Sequence, residues 1–213
     1  MGIQAVIFDL DGTLVDSLDD IAAALGGALG DAGLAQPPIE LVRGWIGDGA
    51  HSLVRRAVDG RADVDAVLAS FRERYRAQPI VRTRLYDGMA AALDVLAAPG
   101  RSFAVLSNKP HDLTRTIADR LLGAWPFAAV FGQRPGLPLK PDPTVALIAA
   151  GDLGVPPARC AFVGDSGIDV ETGAAAGMRT IAVSWGFRDR AELEAAHPDA
   201  IADRPEDLAA AVA

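Results

Sequence analysis

The chain predicts an α/β fold, a Rossmann-like doubly wound parallel sheet core with an inserted small α-helical cap domain. Three observations predict it. Short apolar runs of strand length recur along the 213 residues, each followed by Asp, Ser or Gly and then by a helical pattern, which is the alternation of a parallel sheet with crossover helices. After the first run the pattern stays helical from about residue 17 to 78, with no strand between. Carboxylates follow two of the apolar runs, and the carboxyl edge of an open α/β sheet is where ligands bind.

The first run, Ala5-Val6-Ile7-Phe8, is apolar at every position, as a strand buried on both faces requires. It leads into Asp9-Leu10-Asp11-Gly12-Thr13. Extended backbone points Asp9 and Asp11 to the same side, so two like charges are crowded at a strand end. A cation is needed to hold them, and Mg²⁺, which takes oxygen ligands, is the natural candidate. Gly12 permits the turn, and Thr13 adds a hydroxyl and an N–H. An ordinary polar turn uses the same residue types, so this stretch alone does not decide.

Helical spacing follows. Leu18, Ile21, Leu25 and Leu29 form one apolar stripe, with Asp16 or Ser17 as N-cap. Pro37-Pro38 breaks the chain. Leu41, Val42, Trp45 and Ile46 form a second stripe, Leu53, Val54, Ala57 and Val58 a third, and Val64, Val67, Leu68, Phe71 and Tyr75 a fourth. Four helices in succession point to a separate cap over residues 16–80, with residues 1–15 and 81–213 as the core. Arg43-Gly44-Trp45-Ile46-Gly47-Asp48-Gly49 reads as a loop between two cap helices whose backbone approaches something closely. Arg43 is a candidate bidentate clamp for a substrate carboxylate, or one more solvated arginine. Trp45 is either a core anchor or a site residue.

Pro79 to Leu85 is the return crossing, and a helix with Met89, Leu93 and Leu96 ends near Pro99-Gly100. The second strand, Ser102 to Leu106, leads into Ser107-Asn108-Lys109-Pro110 and a helix from about His111 to Leu122. A hydroxyl and N–H groups ahead of a helix can cradle an anion, or simply cap it. Ala128 to Phe131 is a third strand, and a Gly/Pro-rich loop then brings Lys140-Pro141-Asp142-Pro143 to a helix start. Ala161-Phe162-Val163 is a fourth, followed by Gly164-Asp165-Ser166-Gly167-Ile168-Asp169, whose two carboxylates lie four apart and share a helical face. Thr180 to Val183 is a fifth. Ser184-Trp185-Gly186-Phe187 follows at the same edge, and the tail reads as a short strand at Ala200-Ile201-Ala202 and a helix from Pro205.

Composition narrows the function classes. A net charge of −8 and a pI near 4.8 argue against nucleic acid as a partner. No apolar stretch is long enough for a membrane span and no signal peptide precedes the first strand, so a cytoplasmic location is expected. The single Cys160 excludes an internal disulfide framework and sits in a strand as a buried thiol. Lysine is scarce: of 20 Lys and Arg only Lys109 and Lys140 are Lys. These are candidate positions for a compact ammonium, or chance survivors in an arginine-rich chain.

Phe8-Asp9-Leu10-Asp11-Gly12-Thr13-Leu14-Val15-Asp16-Ser17 resembles the first signature of the haloacid dehalogenase-like superfamily. Ser107, Lys140 with Pro141-Asp142-Pro143, and Gly164-Asp165-Ser166 with Asp169 resemble its second, third and fourth motifs, in order and over essentially the whole chain. Arg43 to Gly49 resembles the cap loop of its phosphoglycolate phosphatases. The resemblance implies an Mg²⁺-dependent phosphatase acting on a small-molecule phosphate ester, best 2-phosphoglycolate, through an aspartyl phosphate. It implies Asp9 as nucleophile, Asp11 as general acid and base, and Ser107, Asn108, Lys140, Gly12 and Thr13 around the phosphoryl group. It places the metal on Asp9, Asp11 (through its backbone carbonyl), Asp165 and Asp169 (through water). Asp11 argues against a dehalogenase, and a cap without lysine argues against a phosphonatase. A sugar phosphomutase of the β-phosphoglucomutase type, a pyrophosphatase and a non-catalytic phosphate-binding regulatory module stay open.

Overall fold

A computed structural model describes residues 2–98 and 100–213. Strand β1 (Ala5–Phe8) leads to β2 (Val15–Asp16) and then to four helices, α1 (Leu18–Asp31), α2 (Ile39–Trp45), α3 (Gly49–Val58) and α4 (Val64–Ala77). The chain returns through β3 (Arg84–Leu85) and α5 (Met89–Ala97), then alternates β4 (Ser102–Pro110), α6 (His111–Leu121), β5 (Phe127–Gln133) and α7 (Thr144–Asp152). It ends with β6 (Cys160–Gly164), α8 (Gly167–Ala175), β7 (Arg179–Val183), α9 (Arg190–Ala195), β8 (Ala200–Ala202) and α10 (Leu208–Ala211).

Six strands form one parallel sheet in the order β5-β4-β1-β6-β7-β8, a doubly wound α/β architecture. The order reverses around β1. Phe8 pairs with Val105 on one side and Val163 on the other, so the residues just beyond them share one edge. Asp9, Ser107 and Asp165 therefore meet at the switch point where such sheets bind ligands. Alternating residues pack the two faces: Val6, Phe8, Phe103 and Val105 on one, Ala5, Ile7, Ala104 and Phe162 on the other. Phe8 and Phe103 meet edge to face at 5.6 Å between centroids.

Helices α1 to α4 bury an apolar cluster of their own, with Leu25, Leu29, Val54, Phe71 and Tyr75 all below 4% exposed. Leu113 of α6 and Phe187, beyond β7, join it from the sheet side. The neck is an antiparallel ribbon, Val15 against Leu85 and Asp16 against Arg84. Beside it the buried Asp20 carboxylate accepts from the N–H groups of Val81, Arg82 and Thr83 and from the Thr83 hydroxyl.

Several elements differ from expectation. Arg43, Gly44 and Trp45 are the end of α2 rather than loop, so the connection to α3 shrinks to 46–48. An interior glycine costs a helix about 1 kcal/mol, and here the contacts of Arg43 and the burial of Val42 outweigh it. β2 and β3 are two residues each, too short for a period to show. β4 runs on to Pro110, carrying Ser107, Asn108 and Lys109 within the strand. α9 buries only Leu193 and has no apolar stripe to announce it. The tail helix from Pro205 divides into a single 3₁₀ turn, Pro205–Asp207, and α10. The end of α5 is at Ala97, and the expected stop at Pro99 lies outside the described residues.

Candidate active site

Four ionisable side chains from separate segments converge at the sheet edge. Asp9 follows β1, Asp165 follows β6, Asp169 stands in the first turn of α8, and Lys140 comes from the loop before α7. Asp9, Asp165 and Asp169 are buried and bring one carboxylate oxygen each within 4.8 Å of the others. Lys140 Nζ lies 2.6 Å from Asp169 Oδ1 and 2.8 Å from Asp9 Oδ1. Asp169 Oδ2 accepts from the Ser166 N–H and hydroxyl, which completes a capping box and fixes both of its oxygens.

One ammonium for three carboxylates leaves the cluster short of positive charge. Burial pushes the Asp9 carboxyl up to about 6; Lys140 opposes this and Asp169 adds to it. Burial raises Asp165 well above the usual carboxylate range, reinforced by Asp169 and then Asp9. Burial works against the Lys140 ammonium, but Asp169 and Asp9 outweigh it and raise its pKa. Asp9 Oδ1 has no aligned hydrogen bond, although Lys140 is close. An orphaned oxygen among hard, anionic oxygen donors fits a hard divalent cation. The packing is tight: Gly12 has φ +86°, and a Cβ there would meet Asp165 Oδ2 at 2.2 Å. Asp165 Oδ2 is held in turn by the Phe187 N–H at 2.6 Å.

Asp11 stands apart from that cluster. Lys109 Nζ contacts both its oxygens at 2.8 Å, and the Ser17 hydroxyl donates to Oδ1 at 2.5 Å. Lys109 also donates to the Tyr75 hydroxyl at 2.7 Å, which links the sheet edge to α4. Burial opposes the Lys109 ammonium and Asp11 and Tyr75 favour it, with a net upward shift. The two lysines of the chain thus serve the two halves of the D-x-D pair, Lys140 on Asp9 and Lys109 on Asp11.

A cavity of about 60 Å³ opens between this edge and the helices α1 to α4. Asp9, Asp11, Ser107, Lys109 and Asp165 form its polar floor, while Ile21, Ile46, Leu53, Phe71 and Phe187 give it apolar walls. Ser107 lines the cavity with Asp9, and Thr13 is buried with no hydrogen-bond partner for its Oγ1. The Asn108 side chain is a staple: Nδ2 donates to the Gly47 and Lys140 carbonyls, and Oδ1 accepts from the Lys140 N–H.

Arg43 does not line the cavity. Its guanidinium donates to the carbonyls of Gly186 and Phe187, at 3.2 Å for the latter. Arg188 returns the contact, donating to the carbonyls of Arg43 at 3.2 Å and Ile46 at 2.6 Å. Trp45 packs at the margin of the helical cluster. The sequence marked Lys109 as a position for a compact ammonium without assigning it to Asp11, and gave no sign of Tyr75, Ser17 and Arg188 as site neighbours. For Lys109 a signal existed, since residues two apart in a strand share a side and Lys109 follows Ser107 by two.

Among the described residues no helix is long and apolar enough to cross a membrane. Residues 3–177 match the family model described as haloacid dehalogenase-like hydrolase. The chain is 35% identical to a phosphoglycolate phosphatase of Pseudomonas putida, over 94% of this chain and 76% of that protein. It is 34% identical to the phosphoglycolate phosphatase of Aquifex aeolicus, over 96% and 94%. A solved structure from Lactobacillus delbrueckii subsp. bulgaricus, provisionally named a phosphoglycolate phosphatase, superposes with a TM-score of 0.93 at 29% identity, covering 100% of this chain and 99% of that one.

Proposed function

The chain belongs to the haloacid dehalogenase-like hydrolases, and from that premise we propose that it hydrolyses a small phosphomonoester, best 2-phosphoglycolate, with Mg²⁺ and through an aspartyl phosphate on Asp9. The observation that carries this reading is the division of labour between the two lysines. One carboxylate is set among metal-type donors beside Lys140, and the other is held apart on Lys109 and Ser17. The relatives named for phosphoglycolate support the choice of substrate.

Asp9, the Asp11 backbone carbonyl, Asp165 and, through water, Asp169 would hold the metal. When bound, Mg²⁺ would offset the negative charge of carboxylate and phosphate. An Asp9 oxygen attacks phosphorus, and the bond from phosphorus to the ester oxygen breaks as Asp11 gives its proton to the departing alkoxide. Asp11 then takes a proton from water, whose oxygen attacks the aspartyl phosphate and releases phosphate from Asp9. Lys140 and Ser107 stabilise charge on the phosphoryl oxygens, and Asn108 fixes the backbone that carries Lys140. Residues 16–80 act as a cap that keeps bulk water from this chemistry.

The test is phosphate release from a panel of 2-phosphoglycolate, sugar phosphates and pyrophosphate, with Mg²⁺ and with excess chelator. The reading predicts Mg²⁺-dependent turnover led by 2-phosphoglycolate. Turnover in chelator, or a sugar phosphate or pyrophosphate leading the panel, contradicts it.

A further inference from the structure

The cations in and around the cavity are already engaged. Lys140 lies beneath Asp9 and Asp169, Arg43 is fixed on carbonyls of the 186–187 turn, and Arg188 is bound to the Arg43 and Ile46 carbonyls and to Glu192. Lys109 faces the cavity floor, and its partner Tyr75 faces it from the cap side. The Tyr75 hydroxyl accepts from Lys109, and among the described residues it donates to nothing. Tyr75 is 2% exposed, so that O–H donor is held in a mostly apolar pocket, 2.7 Å from an ammonium that is itself paired with Asp11. A buried donor with no acceptor of its own is half of an anion site.

We propose that the Tyr75 hydroxyl, oriented by the hydrogen bond it accepts from Lys109, receives the carboxylate of the substrate, making Tyr75 the residue that selects a carboxylate-bearing leaving group. This rests on the 2-phosphoglycolate reading above. The phosphoryl end lies at Asp9 and Ser107, and the short organic part extends toward α4, where the carboxylate meets the phenol O–H. Burial pushes the Tyr75 phenol up to about 12, so it keeps its proton and stays a donor at neutral pH. The assignment also ties recognition to the cap: Tyr75 belongs to α4 and Lys109 to β4, so the hydroxyl that meets the carboxylate is oriented from the core.

The experiment compares kcat/KM for 2-phosphoglycolate with that for ethyl phosphate, which has a similar length and no carboxylate, in the parent and in Tyr75→Phe. The parent should prefer 2-phosphoglycolate, and Tyr75→Phe should reduce that preference about tenfold or more, the effect of one hydrogen bond to a charged group. Lys109→Met deprives Asp11 of its cation and should lower both substrates, so Tyr75→Phe is the deciding variant. A parent preference that survives intact in Tyr75→Phe overturns the assignment and leaves the substrate reading standing. A parent with no preference overturns the substrate reading and the assignment with it. Selective loss of the preference in Arg43→Ala, with Tyr75→Phe unaffected, moves the carboxylate to Arg43 and also overturns it.

Discussion

Asp9 is surrounded by two further carboxylates and one ammonium, and its Oδ1 has no aligned donor, the environment of a group that gains from binding an electrophilic or cationic partner. Asp9→Asn removes the nucleophile while preserving shape, and turnover should fall roughly 10³-fold or more with the fold intact by circular dichroism. Asp20 is the contrasting carboxylate, structural rather than chemical. Burial would raise its pKa, but the Thr83 hydroxyl and the three N–H groups it accepts from outweigh burial and lower it. A carboxylate whose folded pKa lies below its unfolded value of about 3.9 contributes in full above that pH and loses its contribution as pH falls through the folded value. Asp20→Asn should therefore lower stability by about 1.5–3 kcal/mol at pH 7. In urea titrations the gap from the parent should close below about pH 3.9; a gap that persists at low pH assigns the effect to shape rather than charge.

At the scale of elements, α2 and the turn after β7 are joined by two arginines working in opposite directions. Arg43 donates to the carbonyls of residues 186 and 187, and Arg188 donates to the carbonyls of residues 43 and 46. This is a clasp between α2 and the turn after β7, and on the proposed role of residues 16–80 as a cap Arg43→Ala should weaken closure for every substrate alike, by on the order of 10–100-fold in kcat/KM, as misplacement of a closing element does. A loss confined to carboxylate-bearing esters would instead return Arg43 to a direct substrate role. The sequence showed that Arg43 lies near something, through the glycines beside it, but not what. Its partners are main-chain carbonyls 143 and 144 residues away, and such acceptors leave no mark in a side-chain pattern. β2 and β3 were illegible for a related reason: two-residue strands have no period. The long strands and the four helices α1 to α4 were legible because apolar spacing persisted across each, as in Ala5-Val6-Ile7-Phe8 and Leu18, Ile21, Leu25, Leu29.

For the whole molecule, the parallel register of β1 with β4 and β6 places Asp9, Ser107, Lys109 and Asp165 at one edge, and the helices inserted after β2 roof it over. The motifs were readable one by one because each follows a strand or opens a helix. Their grouping into two separate charge sets was not, since nothing in the order of residues says which lysine faces which aspartate. A metal bound at Asp9, Asp165 and Asp169 would offset the repulsion of their charges, so Mg²⁺ should raise Tm and Asp165→Asn should reduce that gain. Equal Mg²⁺ stabilisation of parent and variant would place the ion elsewhere. The most direct test of the account is intact-protein and peptide mass analysis after rapid acid quench during turnover of 2-phosphoglycolate. The account predicts a phosphoryl adduct on the peptide containing Asp9, absent from Asp9→Asn. Undiminished turnover with no adduct on that peptide would contradict it.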